Sequence, residues 1–265
     1  MGKTIAIIGA GNMGGAIYRR LCDTMDPKQI SVCNRTRPVG IHTKSHFSSN
    51  VNDALSRADC IILAVKPQSL NDLVSMFTID ISKKLIISIL AGTTLVVLRK
   101  KTGAKKIIRA MPNLPAQVGA GVTGWVATPF VSTEEKRFTK EIFTALGYEI
   151  QLPSEAMIAN LSVISGCGPA YFFTLIEMMG TAAKKIGFSA QEAEKLAVAT
   201  FLGSAKLFAS SNKSPAEWRE AVASKRGVTE AVLKNLKKKK FDTIFYQALK
   251  AGVRRSKELA RSKKV

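Results

Sequence analysis

The residues with the clearest chemistry stand at the start of the chain, Gly9-Ala10-Gly11-Asn12-Met13-Gly14. The β-branched run Ile5-Ala6-Ile7-Ile8 leads into them, and Gly15-Ala16-Ile17-Tyr18-Arg19-Arg20-Leu21, with helical spacing, follows. Strand, tight turn and helix in that order make a phosphate cradle. Gly9 makes the turn, Gly11 lets backbone approach a pyrophosphate, and Gly14 permits close packing of helix on strand. The phosphates are then expected at the helix N-terminus. Asn12 and Met13 count with the three glycines as cofactor-binding residues.

A second strand is predicted over Ile30 to Asn34, and its end reads the adenosine ribose of a dinucleotide. A carboxylate there would accept from a free 2′-hydroxyl, whereas an arginine accommodates a 2′-phosphate. The sequence is Cys33-Asn34-Arg35-Thr36-Arg37, without a carboxylate and with two guanidiniums. Asn34 and Arg35 are therefore expected in a 2′-phosphate pocket, with NADPH as the cofactor and NADH possible. His42 and His46 are the only histidines. No Glu or Cys completes a metal site around them, so they are expected as exposed residues of a Ser-rich loop, with no metal and no histidine-dependent triad.

These residues need elements to position them. Asp59 to Val65, Leu85 to Ile89 and Lys106 to Arg109 are apolar runs of the kind that strands covered on both faces require. Ligands of such sheets bind beyond the carboxyl ends of the strands. The loops Gly9 to Gly14, Ala64 to Gln68, Ala91-Gly92 and Met111 to Pro115 should thus converge on one crevice, which adds Ala64, Val65, Lys66 and Pro67 to the cofactor-binding set. Val122 to Ala127, a helix from Thr133 to Leu146 and Tyr148 to Leu152 complete a domain of residues 1–153, with Pro153 at its boundary.

Residues 154–265 read as helices only. Pro169 suits the start of a helix, and Tyr171 to Ile186 is apolar nearly all round, a face that predicts dimerisation. Gly187 ends that helix. Ser189 with Glu192, and Ser214-Pro215 with Glu217, form capping boxes. A helix then runs to Leu236, followed by the Lys237 to Lys240 run and an amphipathic helix from Phe241. The fold class is α/β, an N-terminal Rossmann-type doubly wound sheet followed by an all-α C-terminal dimerisation and substrate domain.

Composition narrows the classes. Lysine and arginine number 40 against 19 acidic residues, a net charge of +21, which attracts anions. The basic residues are scattered and lack an aromatic platform, so solvated basic faces are expected and no specific nucleic-acid partner. Cys22, Cys33, Cys60 and Cys167 form no C-x-x-C pair, in keeping with a reducing compartment. No 18 uninterrupted apolar residues occur, so no membrane span is expected, and the cytoplasm is the expected location.

Five segments together resemble the pyrroline-5-carboxylate reductase family. They are Gly9 to Gly14, Ala64-Val65-Lys66-Pro67-Gln68, Arg109-Ala110-Met111-Pro112-Asn113-Leu114-Pro115-Ala116, Ser165-Gly166-Cys167-Gly168-Pro169-Ala170-Tyr171, and Ser224 to Thr229. The resemblance spans essentially the whole chain. It implies hydride transfer from NAD(P)H to the C=N of pyrroline-5-carboxylate, giving L-proline. It further implies dimers or rings of dimers, with an active site between the nucleotide domain of one subunit and helices of its partner.

By the same resemblance, backbone N–H groups of the Ser224 to Thr229 loop, with Gly227 in it, hold the substrate carboxylate. Thr229 hydrogen-bonds the imine nitrogen and relays its proton. Ser162 and the turn beginning at Ser165 flank nicotinamide and substrate, and Met111, Pro112 and Asn113 shape the floor. An alternative for Thr229 is a plain helix N-cap. The family's loop commonly reads Ser-Pro-Gly-Gly-Thr-Thr, and here Lys225, Arg226 and Val228 depart from it. Arg226 replaces a glycine, with substrate affinity or choice expected to change. Two other functions fit less of the sequence: a related NADP-dependent imine reductase or β-hydroxyacid dehydrogenase-like enzyme, and a non-catalytic nucleotide- or polyanion-binding protein. Lys184 and Lys185 stand too late in their helix for the lysine that dehydrogenases of that plan use.

Overall fold

A computed structural model describes residues 3–262, with side chains described as far as Glu258. The chain divides into two compact units, one of residues up to 167 together with the end of the last helix from Val253, the other Gly168–Gly252.

The first unit is built on the apolar runs. β1 (Ile5–Ile8), β2 (Ile30–Cys33), β3 (His46–Ser48), β4 (Cys60–Leu63), β5 (Leu85–Ser88), β6 (Ile107–Met111), β7 (Gly121–Ala127) and β8 (Gly147–Gln151) form one sheet in the order β3-β2-β1-β4-β5-β6-β7-β8. The first six strands are parallel, in registers such as Ile5 opposite Ile30 on one side and Cys60 on the other. β7 runs antiparallel to β6, and β8 parallel to β7. Parallel strands alternate their side chains between two faces, and both are buried here. Ile5, Ile7, Val32 and Ile62 pack with Ile17, Leu21 and Phe143 on one face; Ala6, Ile8, Ile61 and Leu63 pack with Leu55 and Leu98 on the other.

The helices of this unit are α1 (Asn12–Cys22), α2 (Val51–Ser56), α3 (Leu70–Ser75), α4 (Leu95–Thr102), α5 (Thr133–Thr144) and α6 (Met157–Leu161). α5 opens with a capping box, Ser132 with Glu135, that the sequence reading does not identify. Strand order reverses at β1, so the crevice at the switch point lies between the carboxyl ends of β1 and β4. As expected, the loops after β1, β4, β5 and β6 all leave the same edge of the sheet.

Compactness places the boundary after Cys167, whereas composition changes at Pro153. The intervening residues pack on the sheet. Ile158 and Val163 are buried, and Leu161 occupies the space a β-carbon at Gly124 of β7 would take. Arg109, buried on β6, donates to Glu155 Oε1 at 2.7 Å, and the same oxygen accepts the Leu95 N–H at 2.7 Å.

His46 is a correction to the sequence reading. It lies in edge strand β3 rather than in an exposed loop, opposite Ser31, with Nε2 2.7 Å from Asp53 Oδ2. Asp53 also accepts from Arg57 Nε at 3.1 Å. The His46 contact, then Arg57, hold the Asp53 carboxyl down from its ordinary value of 3.8 to about 2.

The second unit contains α7 (Gly168–Lys185), α8 (Ala190–Ala209), α9 (Pro215–Ala221), α10 (Val228–Lys238) and the first half of α11 (Phe241–Ser262). Gly187 turns the chain at φ = 110°, and both expected capping boxes, Ser189 with Glu192 and Ser214 with Glu217, are formed. α7 packs along α8, and between them runs an apolar groove of about 1250 Å³ lined by Phe172, Phe173, Ile176, Phe201, Leu202 and Phe208. Phe172 and Phe173 are 59% and 58% exposed, far above what a single folded unit leaves uncovered. The helical stretch Met157–Lys185 is long and apolar enough to cross a membrane by length and composition alone. Helices that pack inside a folded protein can share that length and composition, so the stretch does not by itself argue for a membrane span.

Two stability measurements follow. Glu155→Ala leaves the buried Arg109 guanidinium and the Leu95 N–H unpaired, so denaturant unfolding should show a loss of about 2–3 kcal/mol, less than for a fully buried pair because Glu155 is partly exposed. For Asp53, a folded pKa below the unfolded one means that its stabilisation is complete above about pH 4 and is lost as pH falls through about 2. Asp53→Asn should therefore flatten the decline of stability over that acid range and leave its slope near neutrality unchanged.

Candidate active site

The turn after β1 has the geometry a phosphate cradle requires. Gly9 adopts φ = 95° and donates its N–H to Cys33 O at 2.8 Å. A β-carbon on Gly9 would lie 2.9 Å from Ala64 O, and one on Gly14 only 2.0 Å from Gly9 O. The three segments β1, α1 and the loop after β4 thus meet at backbone contact distance. Gly11 differs: nothing lies within 4 Å of the position a β-carbon would take. It is the N-cap of α1 and provides no side-chain hydrogen bond to the helix. An uncapped helix N-terminus beside open space is where an anionic pyrophosphate gains both N–H donors and the helix dipole. Asn12, Met13 and Gly14 supply the first N–H groups of α1.

Alongside lies a cleft of about 280 Å³, lined by Ala10, Gly11, Asn12 and Arg19 from the α1 side and by Pro38 to Ile41 from the loop after β2. Tyr18 ties that loop down, its hydroxyl accepting from the His42 N–H at 2.7 Å and lying 2.8 Å from Ser45 Oγ. Burial, first of several causes, raises the Tyr18 pKa, which keeps the phenol neutral. Asn34 accepts the Ala10 N–H at 3.3 Å and donates to Thr36 O at 2.9 Å, so it braces the ribose-side turn. Arg37 stacks over the Phe47 ring at 5.4 Å. Arg35 is exposed, with no hydrogen bond or ion pair among the described residues. Of the two guanidiniums, Arg35 is the one without a ring contact among the described residues.

At the same sheet edge, Met111 ends β6 and Pro112 and Asn113 follow it. Asn113 is buried; its amide donates to Ser165 O at 2.9 Å and its Oδ1 accepts the Val122 N–H at 2.7 Å. Ser165 donates to Leu161 O at 3.1 Å, in a π-type turn over Ser162–Gly166 closed by the Cys167 N–H on Ser162 O at 2.8 Å. Asn113 thus joins the sixth strand to the Ser165 turn, a link that sequence spacing does not announce. The Arg109–Glu155 pair is equally silent in sequence, although a lone arginine inside an apolar strand signals that some partner is required. Lys66, exposed, is the N-cap of the short turn Pro67–Ser69 on the β4 side.

In the other unit Ser224, Gly227 and Thr229 share one turn. The Gly227 N–H reaches Ser224 O at 2.9 Å, and a β-carbon on Gly227 would fall 2.2 Å from Ser224 Oγ, so a larger residue there would require the Ser224 side chain to turn away. Gly227 rather than Thr229 is the N-cap of α10, again without a side-chain cap. That removes the plain-cap account of Thr229, which is the second residue of the helix and whose hydroxyl has no hydrogen bond among the described residues. Glu230 accepts the Arg226 N–H at 2.6 Å and pairs with Lys234 at 3.0 Å; the Lys234 contact, then the Arg226 N–H, lower its pKa.

The turn thus combines an uncapped helix start with a hydroxyl that has no hydrogen bond among the described residues, and known proteins are similar along the whole chain. A pyrroline-5-carboxylate reductase of Pseudomonas aeruginosa is 34% identical over 264 residues, covering 97% of this chain and 96% of that protein. The chain belongs to the pyrroline-5-carboxylate reductase family. Residues 155–259 match the family described as pyrroline-5-carboxylate reductase dimerisation, and residues 4–92 the one described as NADP oxidoreductase, coenzyme F420-dependent. Among solved structures, a pyrroline-5-carboxylate reductase from Coxiella burnetii superposes with a TM-score of 0.89 at 34% identity, covering 97% of this chain and 98% of the other. A Plasmodium falciparum pyrroline carboxylate reductase with NADP bound superposes at 0.83 and 26% identity, with the same coverage.

As a member of the pyrroline-5-carboxylate reductase family the protein is an oxidoreductase acting on a C=N bond with a nicotinamide cofactor. The dimerisation match includes α7 and α8, the helices that line the exposed aromatic groove.

Gly14→Ala tests the cradle. Its β-carbon meets backbone that cannot yield without moving α1, so thermal unfolding should show a loss of about 2 kcal/mol or more. The same variant should lose the enhancement of nicotinamide fluorescence on NADPH titration.

Proposed function

We propose that this chain reduces 1-pyrroline-5-carboxylate to L-proline with NADPH as the preferred donor. The observation that carries the reading is the turn opening α10, where Ser224 and Gly227 surround an uncapped helix N-terminus and the Thr229 hydroxyl lacks an internal partner. A small carboxylated cyclic imine needs those groups: N–H donors for the carboxylate and one hydroxyl at the ring nitrogen.

The residues divide the work. Gly9, Gly11, Asn12, Met13 and Gly14 hold the pyrophosphate, Asn34 braces the turn from which Arg35 meets the 2′-phosphate, and Ala64 to Pro67 with Met111 to Asn113 line the nicotinamide end. The cofactor, when bound, supplies the hydride that adds to the imine carbon. Backbone N–H groups of Val228 and Thr229 fix the substrate carboxylate and Thr229 Oγ1 holds and passes the proton that the ring nitrogen gains, while Ser165 and Ser162 belong with Met111 to Asn113 at the nicotinamide end. One hydride and one proton added across C=N give the saturated ring of proline. The working form is a homodimer or a ring of dimers built through α7 and α8, and four free thiols suit a cytoplasmic location.

The test is cofactor oxidation in the presence of pyrroline-5-carboxylate, followed with NADPH and then with NADH. Turnover with a clear advantage for NADPH is the expected outcome. Arg35→Ala should lower kcat/KM for NADPH about tenfold while changing that for NADH little, since only the former carries the 2′-phosphate. Folded protein that binds NADPH yet turns over pyrroline-5-carboxylate with neither cofactor would overturn the assignment.

A further inference from the structure

The loop that opens α10 departs from the family's glycine-rich form at a residue whose backbone still behaves like glycine. Arg226 holds φ = 62°, one of two non-glycine residues in the left-handed region among those described. A side chain there is unfavourable, so its presence calls for a compensating role. The Arg226 N–H is committed to Glu230 Oε2 at 2.6 Å, and Glu230 is itself held by Lys234. An N–H bonded to one carboxylate cannot serve another, which leaves the loop one backbone donor short. The side chain of the same residue restores it. Arg226 is exposed, and its guanidinium has neither hydrogen bond nor ion pair among the described residues, although Glu230 is four residues away.

We propose that Arg226 is a specificity-determining residue, its guanidinium binding the carboxylate of the cyclic imino acid in place of the backbone donor that Glu230 has taken. This rests on the reading of Ser224, Gly227 and Thr229 as the substrate-carboxylate turn. A guanidinium presents paired N–H donors that match both carboxylate oxygens, which a backbone N–H cannot do. The carboxylate keeps its charge throughout hydride transfer, so the interaction is equally strong before and at the transition state. It therefore acts on KM rather than on kcat. It also makes substrate binding more salt-sensitive than binding by neutral amides.

Steady-state kinetics on three variants separate this role from loop geometry. Arg226→Ala keeps the strained backbone and removes the guanidinium; Arg226→Gly removes both; Arg226→Lys keeps a charge without the planar fork. KM for pyrroline-5-carboxylate should rise about tenfold in the alanine and glycine variants, with kcat and KM for NADPH within about twofold of wild type. Lysine should recover part of the loss, and the rise of KM with ionic strength should be shallower in the alanine variant than in wild type. Unchanged KM in folded alanine and glycine variants would overturn the proposal, as would a fall in kcat at constant KM, which would make Arg226 a matter of loop shape. Wild-type protein without turnover would strike first at the underlying reading of the site and remove this proposal with it.

Discussion

The fold depends on three backbone segments meeting at van der Waals distance. Gly9, Gly14 and Ala64 lie so close that the first two tolerate no β-carbon. From that contact the rest follows in order. α1 can start immediately beside β1, so its N-terminal N–H groups face outward beyond the sheet edge. β4 can lie directly against β1, its Ala64 N–H donating to Ile8 O at 2.9 Å. The reversal of strand order then falls at the helix N-terminus, and an anion-binding end coincides with a crevice. A β-carbon at either glycine would separate helix from strand and move the dipole away from the crevice.

A second constraint builds the opposite wall. The sheet's later strands are turned by glycines, with Gly147 at φ = 130° and hard against Gly121. Against them residues 154–167 are held by two polar ties, Glu155 to Arg109 and Asn113 to Ser165, and by Leu161 over Gly124. Both ties bury donors of β6 and its following loop that would otherwise lack partners, so the cost of leaving them unpaired fixes the position of the Ser165 turn. A turn held by buried polar groups has few alternative arrangements, the condition that positioning a small substrate would require.

Sequence reading recovers most of this where local physics is decisive. Strand runs buried on both faces, the glycine turn, Gly187 and the Ser189 and Ser214 caps are all encoded within a few neighbouring residues, and the structure forms each of them. The misses have a common cause, interactions between residues far apart in the chain. His46 reads as a loop residue because a three-residue edge strand has no period to detect; its pairing with Ser31 and Asp53 creates it. The division after Cys167 is equally invisible, since α6 has helical composition yet packs on the sheet. For Thr229 the plain cap is only the alternative reading, and the turn places Gly227 at the cap instead. Arg226 shows the converse, a sequence departure that correctly marks a left-handed position.

The charge, too, becomes intelligible once the acidic residues are located. Glu135, Glu192 and Glu217 serve in capping boxes, Asp59 holds Thr4, and Asp53 and Glu230 are taken by neighbouring donors. Each of these carboxyls has its pKa lowered, so they stay ionised in place and offer little to neutralise distant lysines. With 40 cations against 19 carboxylates, the uncommitted charge is overwhelmingly positive and exposed. Both molecules read here as ligands, a dinucleotide phosphate and a small carboxylate, are anions. Such a surplus field draws anions toward the surface without selecting between them, and on the proposed reading choice rests on the few fixed donors at α1 and α10. Because such steering is screened within about 8 Å at physiological ionic strength, it acts on encounter while the directed hydrogen bonds of the two turns set discrimination.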